Sequence, residues 1–108
     1  MSETLACPCC GHKTLQGPYG SHDLCPVCCW EDDPAQLADP TLAGGPNAPS
    51  LTQAQANYFL TDASNPALIP HVRRPGPLEP KDHHWRFFDP AVHRTGHVTH
   101  PMRPYWLD

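Results

Sequence analysis

All six cysteines of the chain lie in two short clusters, "CPCC" at residues 7–10 and "CPVCC" at residues 25–29. Each cluster contains a Cys-x2-Cys pair whose first cysteine is followed by proline, and fourteen residues separate the two pairs. A tight turn places cysteines three positions apart on one edge of a tetrahedron, and proline fixes a φ suited to that turn. Two such turns, here called knuckles, supply four sulfur ligands, so the spacing predicts one closed, structural zinc site.

The same spacing indicates which cysteines are metal ligands and which are spare thiols. Use of Cys9 would place ligands at adjacent or one-spaced positions, which strain a tetrahedral chelate. Cys9 and Cys29 therefore stay outside the predicted site. We interpret Cys9 as a small residue packed beside the metal, and a reactive or second-metal role is the alternative. The predicted metal ligands are Cys7, Cys10, Cys25 and Cys28.

A disulfide framework and a redox-active dithiol are the two alternatives to zinc. The first residues, "MSETLACP", have neither the basic nor the apolar region of a signal peptide. No stretch approaches the roughly 18 apolar residues of a membrane span. We therefore expect a cytoplasmic protein with reduced thiols, which favours metal over disulfides. A thioredoxin-like dithiol needs a larger α/β fold, which Pro34 and the missing βαβ spacing disfavour.

The composition predicts a small domain that depends on its metal. Of the 108 residues, 15 are proline and 39% are hydrophobic, so long helices and central strands are disfavoured and the core is small. The formal net charge is −4, and it becomes about −6 once four thiolates bind one Zn²⁺. Such a chain has no general attraction to phosphate backbones, which favours a protein partner over nucleic acid.

Between the clusters, the sequence predicts a β-hairpin. "HKTL" at 12–15 and "HDLC" at 22–25 are interpreted as short strands around the turn-rich "QGPYGS". Two knuckles around a hairpin make a small α+β, zinc-ribbon-like fold. A treble clef is the alternative, but it needs a helix at the second knuckle. The next helix is better started with Asp33 as N-cap and Pro34 at its first position.

One longer helix is predicted over residues 51–60. Ser50 and Gln53 match a capping box at its start. Its apolar face is expected to carry Leu51, Ala54 and Tyr58, with Phe59 beside them, and to pack on the ribbon.

A proline-rich segment over residues 66–80 follows, and we expect it to be extended and to wrap the core in polyproline II form. Arg73 and Arg74 lie near Glu79 in this segment, which indicates a surface ion pair rather than a phosphate site.

The last part of the chain is rich in histidine and aromatic residues. We divide the chain into a metal-binding domain at 1–88 and a tail at 89–108. A solvated tail is the default interpretation, and a second metal site is the alternative. The aromatic residues indicate that the tail is partly packed, either on its own domain or against a second copy of the chain. Five histidines lie within 18 residues: His83, His84, His93, His97 and His100.

Several linked stretches resemble the cysteine-rich CPCC family of small bacterial proteins. They are "CPCCGHKTL", "CPVCCWEDDP", "GGPN", "SLTQAQANYF" and "VRRPGPLEPKDHHWR", in that order, within residues 5–86. The resemblance implies a metal-binding protein and implies no particular activity. Cys29 differs from the glycine or aromatic residue that the resemblance leads us to expect at that position.

Two classes of function follow from these features. The first is a zinc-stabilised binding or adaptor module with a protein partner, for which a homo-oligomer is also possible. The second is a thiol-dependent redox or nucleophilic enzyme that uses Cys9, with His12 as its base. The sequence contains no Ser-His-Asp set or phosphate loop, and a closed four-cysteine site offers no open position to a substrate. These points favour the binding module.

Overall fold

Short regular elements joined by long connections make up the chain. The structure is a computed structural model that describes residues 4–93 and 103–107. Within these residues no helix is long and apolar enough to cross a membrane. In chain order the elements are strand β1 (Leu5–Ala6), strand β2 (Lys13–Leu15), helix α1 (Pro34–Ala38), helix α2 (Leu51–Thr61) and two 3-10 helices (Pro66–His71 and Tyr105–Leu107).

Strands β1 and β2 form an antiparallel hairpin that contains the first knuckle. Leu5 pairs with Leu15 and Ala6 with Lys13, with an irregularity between the two pairs. The predicted small α+β fold with a hairpin is therefore confirmed, but the predicted pairing of 12–15 with 22–25 is wrong. A knuckle reverses the chain by itself, so the residues that follow it run back along those that precede it.

The glycine-rich connection between the knuckles lies against the core instead of turning a hairpin. The Tyr19 hydroxyl donates to the carbonyl of Ala6 at 2.7 Å. The buried Asp32 accepts from the Gly20 N–H at 2.8 Å. These two bonds join the connection to both knuckle regions. In each bond, the donor and the acceptor are far apart in the sequence.

Both predicted helix starts are confirmed. The Asp33 side chain accepts from the N–H of Gln36 at 2.9 Å and caps α1, with Pro34 in its first turn. The Ser50 side chain accepts from the N–H of Gln53 at 3.1 Å and caps α2. The Ser50 half of the predicted capping box is thus observed, whereas the Gln53 side-chain amide donates to Asn57 along the helix.

The buried face of α2 differs from the predicted one by a polar residue. Leu51 and Ala54 are buried and Tyr58 is partly buried against the core, as predicted. Phe59, however, is 75% exposed. Gln55, which the apolar pattern did not place in the core, is only 2% exposed. Gln55 can be buried because tertiary contacts satisfy its amide, which a pattern of apolar residues does not register.

The proline-rich segment wraps the core, but a 3-10 helix and a later turn interrupt the predicted extended form. Pro66–His71 is a 3-10 helix, and the Asn65 side chain caps it by accepting from the N–H of Ala67 at 3.0 Å. Further on, the Lys13 N–H of β2 donates to the carbonyl of Pro80 at 2.9 Å. The proline-rich segment thus forms a backbone hydrogen bond with the open edge of the hairpin.

The last described residues belong to the same core as the knuckles. Four aromatic side chains from beyond residue 80 are buried in it: Trp85, Phe88, Tyr105 and Trp106. Of the histidines, His83 and His84 are exposed neighbours with ring centroids 4.2 Å apart, and His93 accepts from the Asp89 N–H. His97 and His100 lie outside the described residues. The division at residue 88 stays a prediction.

Candidate metal centre

The four predicted ligands converge at one point in the core. The sulfur atoms of Cys7 and Cys28 are 3.6 Å apart, and those of Cys10 and Cys25 are 3.8 Å apart. All four sulfurs lie within 4.8 Å of one another and all four residues are buried. A tetrahedral ion with metal–sulfur bonds of about 2.3 Å needs sulfurs about 3.8 Å apart. The arrangement therefore fits a tetrahedral metal ion, and among the described residues no other group of histidine, cysteine and carboxylate ligands is clustered in this way.

The two knuckles have the same backbone hydrogen bonds. The N–H of Cys7 donates to the carbonyl of His12 at 2.8 Å, and the N–H of Cys25 donates to the carbonyl of Trp30 at 2.9 Å. Each bond spans five residues and closes a loop that holds one Cys-x2-Cys pair. A backbone bridge between Leu24 and Glu31 flanks the second knuckle as β1 and β2 flank the first.

This equivalence places Cys29 at the position that Gly11 occupies in the first knuckle. The N–H of Gly11 donates to the carbonyl of Cys7 at 2.8 Å, and the N–H of Cys29 donates to the carbonyl of Cys25 at 2.9 Å. Both residues have left-handed backbone conformations, with φ of 79° and 66°. Glycine adopts this conformation without steric cost, whereas a residue with a Cβ is strained by about 1–2 kcal/mol. The second knuckle thus carries a strained residue where the first carries a relaxed one.

We expect the substitution Cys29→Gly to stabilise the metal-loaded protein by up to about 1 kcal/mol, because relief of the left-handed strain exceeds the added flexibility of the unfolded chain. Chemical denaturation followed by tryptophan fluorescence measures the change. Cys29→Ala is the matched control, since it removes the same thiol and keeps the Cβ. A glycine variant that is less stable than the alanine variant would contradict the knuckle equivalence.

Burial and mutual hydrogen bonds shift the pKa of Cys7, Cys25 and Cys28. Hydrogen bonds from the neighbouring thiols, Cys10 first, hold the pKa of Cys25 far below its usual range. Burial raises the pKa of Cys7 and of Cys28. The Thr14 hydroxyl, 3.0 Å from the Cys25 sulfur, can donate to that thiolate. A bound divalent ion would supply the positive charge that favours the thiolate form of buried thiols such as Cys7 and Cys28.

Thr14 is a contact that sequence reasoning missed. It lies on β2, and neither its type nor its spacing from Cys25 carries a signal of a metal site. A hydroxyl that donates to a metal-bound sulfur is an outer-shell partner, which orients a ligand and withdraws part of its charge.

The carbonyl of Pro8, inside the first knuckle, is fixed by two side chains from distant parts of the chain. The Gln55 amide and the Trp85 indole N–H each donate to it at 2.9 Å. Gln55 also donates to the Tyr105 hydroxyl and accepts from the N–H of Phe88 at 3.0 Å. These bonds join the knuckle, α2 and the C-terminal segment. The aromatic residues near the end of the chain predicted that this part is packed, which applies to Trp85. No sequence pattern predicted the burial of Gln55.

Each spare thiol contacts a backbone carbonyl. Cys9 is buried, its sulfur donates to the carbonyl of Ala54 at 3.3 Å, and burial raises its pKa. Cys29 is partly exposed, with its sulfur 3.6 Å from the carbonyl of His71, and burial is the main cause that raises its pKa. The Nδ1 of His12 donates to the carbonyl of Glu79 at 2.9 Å, and among the described residues no hydrogen bond joins His12 to Cys9.

Trp30 packs in the core, and Arg73 forms a surface ion pair. Trp30 follows the second knuckle and is buried in the core cluster with the cysteines. The Arg73 guanidinium forms two hydrogen bonds to the Glu79 carboxylate, at 2.7 and 2.8 Å. This pair lowers the pKa of Glu79 to about 2, chiefly through the side-chain hydrogen bonds of Arg73. The predicted surface ion pair is therefore present.

The chain matches a protein-family model over most of its length. A search of curated proteins finds no match to the chain. The model of a protein family described as "Cysteine-rich CPCC" matches residues 5–79, which contain both knuckles, α1, α2 and most of the wrap. Trp85 and Tyr105, which complete the core, lie beyond the matched residues. The chain belongs to the cysteine-rich CPCC family.

Proposed function

We propose that the chain binds one zinc ion through Cys7, Cys10, Cys25 and Cys28, and that the metal stabilises a cytoplasmic binding or adaptor module for a protein partner. The observation that carries the proposal is the convergence of four buried thiols at the separations of a tetrahedral site.

The donor set favours zinc in a structural role. Four thiolates in tetrahedral geometry are typical of zinc, and iron is the ion that replaces it most readily in such a set. All four coordination positions would be taken by protein, so no position is open to water or substrate. The two knuckles that face each other across the metal are the basis for a zinc-ribbon-like description of the fold.

The surroundings of the spare thiols support a binding role over an enzymatic one. A nucleophilic cysteine needs exposure and a lowered pKa. Cys9 is buried with a raised pKa, and its hydrogen-bond partner is a backbone carbonyl rather than a base. His12, the base of the enzymatic alternative, is bonded to the wrap instead.

The surface supports a protein partner over nucleic acid. The chain has a net charge of −4 before any metal is counted. Arg73, one half of the Arg73-Arg74 pair, is neutralised by Glu79. Large apolar side chains are exposed on one side of α2, where Phe59 and Leu60 are 75% and 77% accessible. Aromatic and other apolar side chains are typical of the buried centre of protein interfaces.

Metal analysis combined with alkylation of each cysteine tests the proposal. We expect one zinc ion per chain and slow labelling at neutral pH, first at Cys29, then at Cys9, and last at the metal-bound thiols. The protein denatured with a chelator is the control, because all six thiols should then label at similar rates.

Two results would contradict the proposal. Purified protein that contains neither zinc nor iron would remove its basis. A Cys9 that reacts fastest, with a pKa below about 7 against a free value near 8.5, would favour the redox or nucleophilic enzyme.

A further inference from the structure

The last described residues include a short peptide whose side chains are buried in the core. Pro104, Tyr105 and Trp106 are all buried, whereas Leu107 after them is 44% exposed. The N–H of Leu107 donates to the carbonyl of Pro104 at 3.2 Å, which is a local bond. Among the described residues, no backbone–backbone hydrogen bond joins residues 104–107 to another part of the chain. These four residues, here called the PYW segment, are therefore held by their side chains, as a docked peptide is.

Side chains from three other parts of the chain enclose Tyr105 and Trp106. The Tyr105 ring lies edge to face with the rings of Phe88 and His93, with centroids 5.3 and 4.7 Å apart. The Trp106 ring meets that of Tyr19 in the same way at 5.8 Å. Edge-to-face contacts of this kind are favourable beyond the area that they bury. We call this enclosure the aromatic pocket, and its walls are Tyr19, Gln55, Phe88 and His93.

The aromatic pocket also has polar partners for one tyrosine hydroxyl. The Tyr105 hydroxyl accepts from the Gln55 amide at 2.7 Å and donates to the carbonyl of Arg86. Gln55 is fixed in turn by its hydrogen bonds to Pro8 and Phe88. A buried polar group that loses its partner costs free energy, so a ring without the hydroxyl fits this pocket less well. The pocket therefore favours tyrosine over phenylalanine.

The pocket and its occupant differ in their place relative to the family match. Tyr19 and Gln55 lie within residues 5–79, which the family model matches, and the PYW segment lies beyond them. Because the PYW segment is held by side chains alone, a peptide with the same side chains from another protein would make the same contacts. The occupant seen in the structure thus indicates the chemistry of a partner that the pocket can bind.

We propose that the aromatic pocket is the site through which the module binds its protein partner, and that the partner supplies a segment in which proline is followed by tyrosine and a second aromatic residue. The PYW segment is then an internal competitor that closes the site. The inference rests on the proposed function, because it names the surface and the kind of partner of the proposed binding module.

Competition by the PYW segment sets the affinity for the partner. A partner binds only those molecules whose pocket is vacant, so its apparent dissociation constant rises as the vacant fraction falls. Three buried side chains of the PYW segment lower that fraction, and no backbone bond to the rest of the described chain has to break when the segment leaves. The pocket is therefore closed to weakly binding peptides and open to a partner that binds more tightly.

Binding of a labelled synthetic peptide, Arg-Pro-Tyr-Trp-Leu-Asp, to the zinc-loaded full chain tests the proposal. This is the sequence of residues 103–108. Tyr105→Ala removes the ring and the hydroxyl of the internal competitor, so we expect this variant to bind the peptide at least about tenfold more tightly than the wild type. Leu107→Ala is the matched control, because Leu107 belongs to the same segment but is 44% exposed, and its affinity should equal that of the wild type.

The tyrosine hydroxyl provides a second, milder comparison. Tyr105→Phe keeps the ring of the internal competitor, and it should bind the peptide about three- to tenfold more tightly than the wild type. A synthetic peptide with phenylalanine in place of tyrosine should bind Tyr105→Ala more weakly by a similar factor, because it leaves the Gln55 amide and the Arg86 carbonyl without their partner.

Three results would overturn the inference. Folded Tyr105→Ala and Tyr105→Phe variants that bind no peptide would exclude the site. Equal binding by the wild type and both variants would place the peptide elsewhere on the protein, and equal affinity for the two peptides would exclude the aromatic pocket. Zinc measured in the same samples separates the two proposals: zinc-loaded protein that gives one of these results refutes only the peptide site, whereas protein without metal refutes the proposed zinc module.

Discussion

Replacing Cys10 by serine is expected to unfold the domain, whereas the same replacement at the adjacent Cys9 leaves it folded. Structural zinc contributes on the order of 10–16 kcal/mol of apparent binding free energy in small domains. Domains have net stabilities of about 5–15 kcal/mol. With two very short strands and one helix of 11 residues, this chain has little regular structure to replace the metal.

Cys9 and Cys10 make an informative comparison because both side chains are buried but contact different atoms. The Cys10 sulfur is 3.8 Å from that of Cys25 within the four-cysteine cluster, and the Cys9 sulfur donates to the carbonyl of Ala54. A serine hydroxyl at position 9 can make the same hydrogen bond to that carbonyl, whereas a serine at position 10 is a poor ligand for zinc.

Zinc content, circular dichroism and the dispersion of NMR signals measure the outcome. Cys9→Ser should keep one zinc and a native spectrum, and Cys10→Ser should lose both. Excess chelator added to the wild-type protein should reproduce the Cys10→Ser spectrum. A folded, metal-free Cys10→Ser variant would show that the core holds the fold without the metal, and it would contradict the structural role of zinc.

The second large effect is expected at the first knuckle, where Gly11→Ala should cost about 2–5 kcal/mol of stability. Gly11 has a φ of 79°, which strains any residue with a Cβ by about 1–2 kcal/mol. A Cβ at this position would also lie 2.8 Å from Cδ2 of Trp85. That ring cannot move freely, because its indole N–H is bonded to Pro8. Overpacking of this kind adds about 1–3 kcal/mol.

Gly44→Ala separates the two contributions. Gly44 also has a left-handed φ, 91°, but a Cβ there would meet no atom within 4 Å. Its replacement should cost only the backbone strain, so the difference between the two variants isolates the contact with Trp85. Urea denaturation of both zinc-loaded variants provides the comparison. Equal losses of stability would mean that Trp85 does not pack on the knuckle as described.

Features that depend on residues close together along the chain were predictable from residue types and spacing. The Cys-x2-Cys spacing selected the four cysteines that cluster, because a turn of four residues brings its end sulfurs together wherever it occurs. Ser50 and Asp33 marked the starts of α2 and α1 for a similar reason, since a capping bond reaches only two or three residues.

Which distant residues meet is a property of the assembled fold. The pairing of β1 with β2, the burial of Gln55 and the contact of Thr14 with Cys25 join residues whose types carry no mark of their partners. Each becomes favourable only after the knuckles face each other, because a buried amide or hydroxyl is tolerated where the completed fold supplies its hydrogen bonds. The two knuckles could be located in the sequence, and the side chains that enclose them could be identified only in the assembled core.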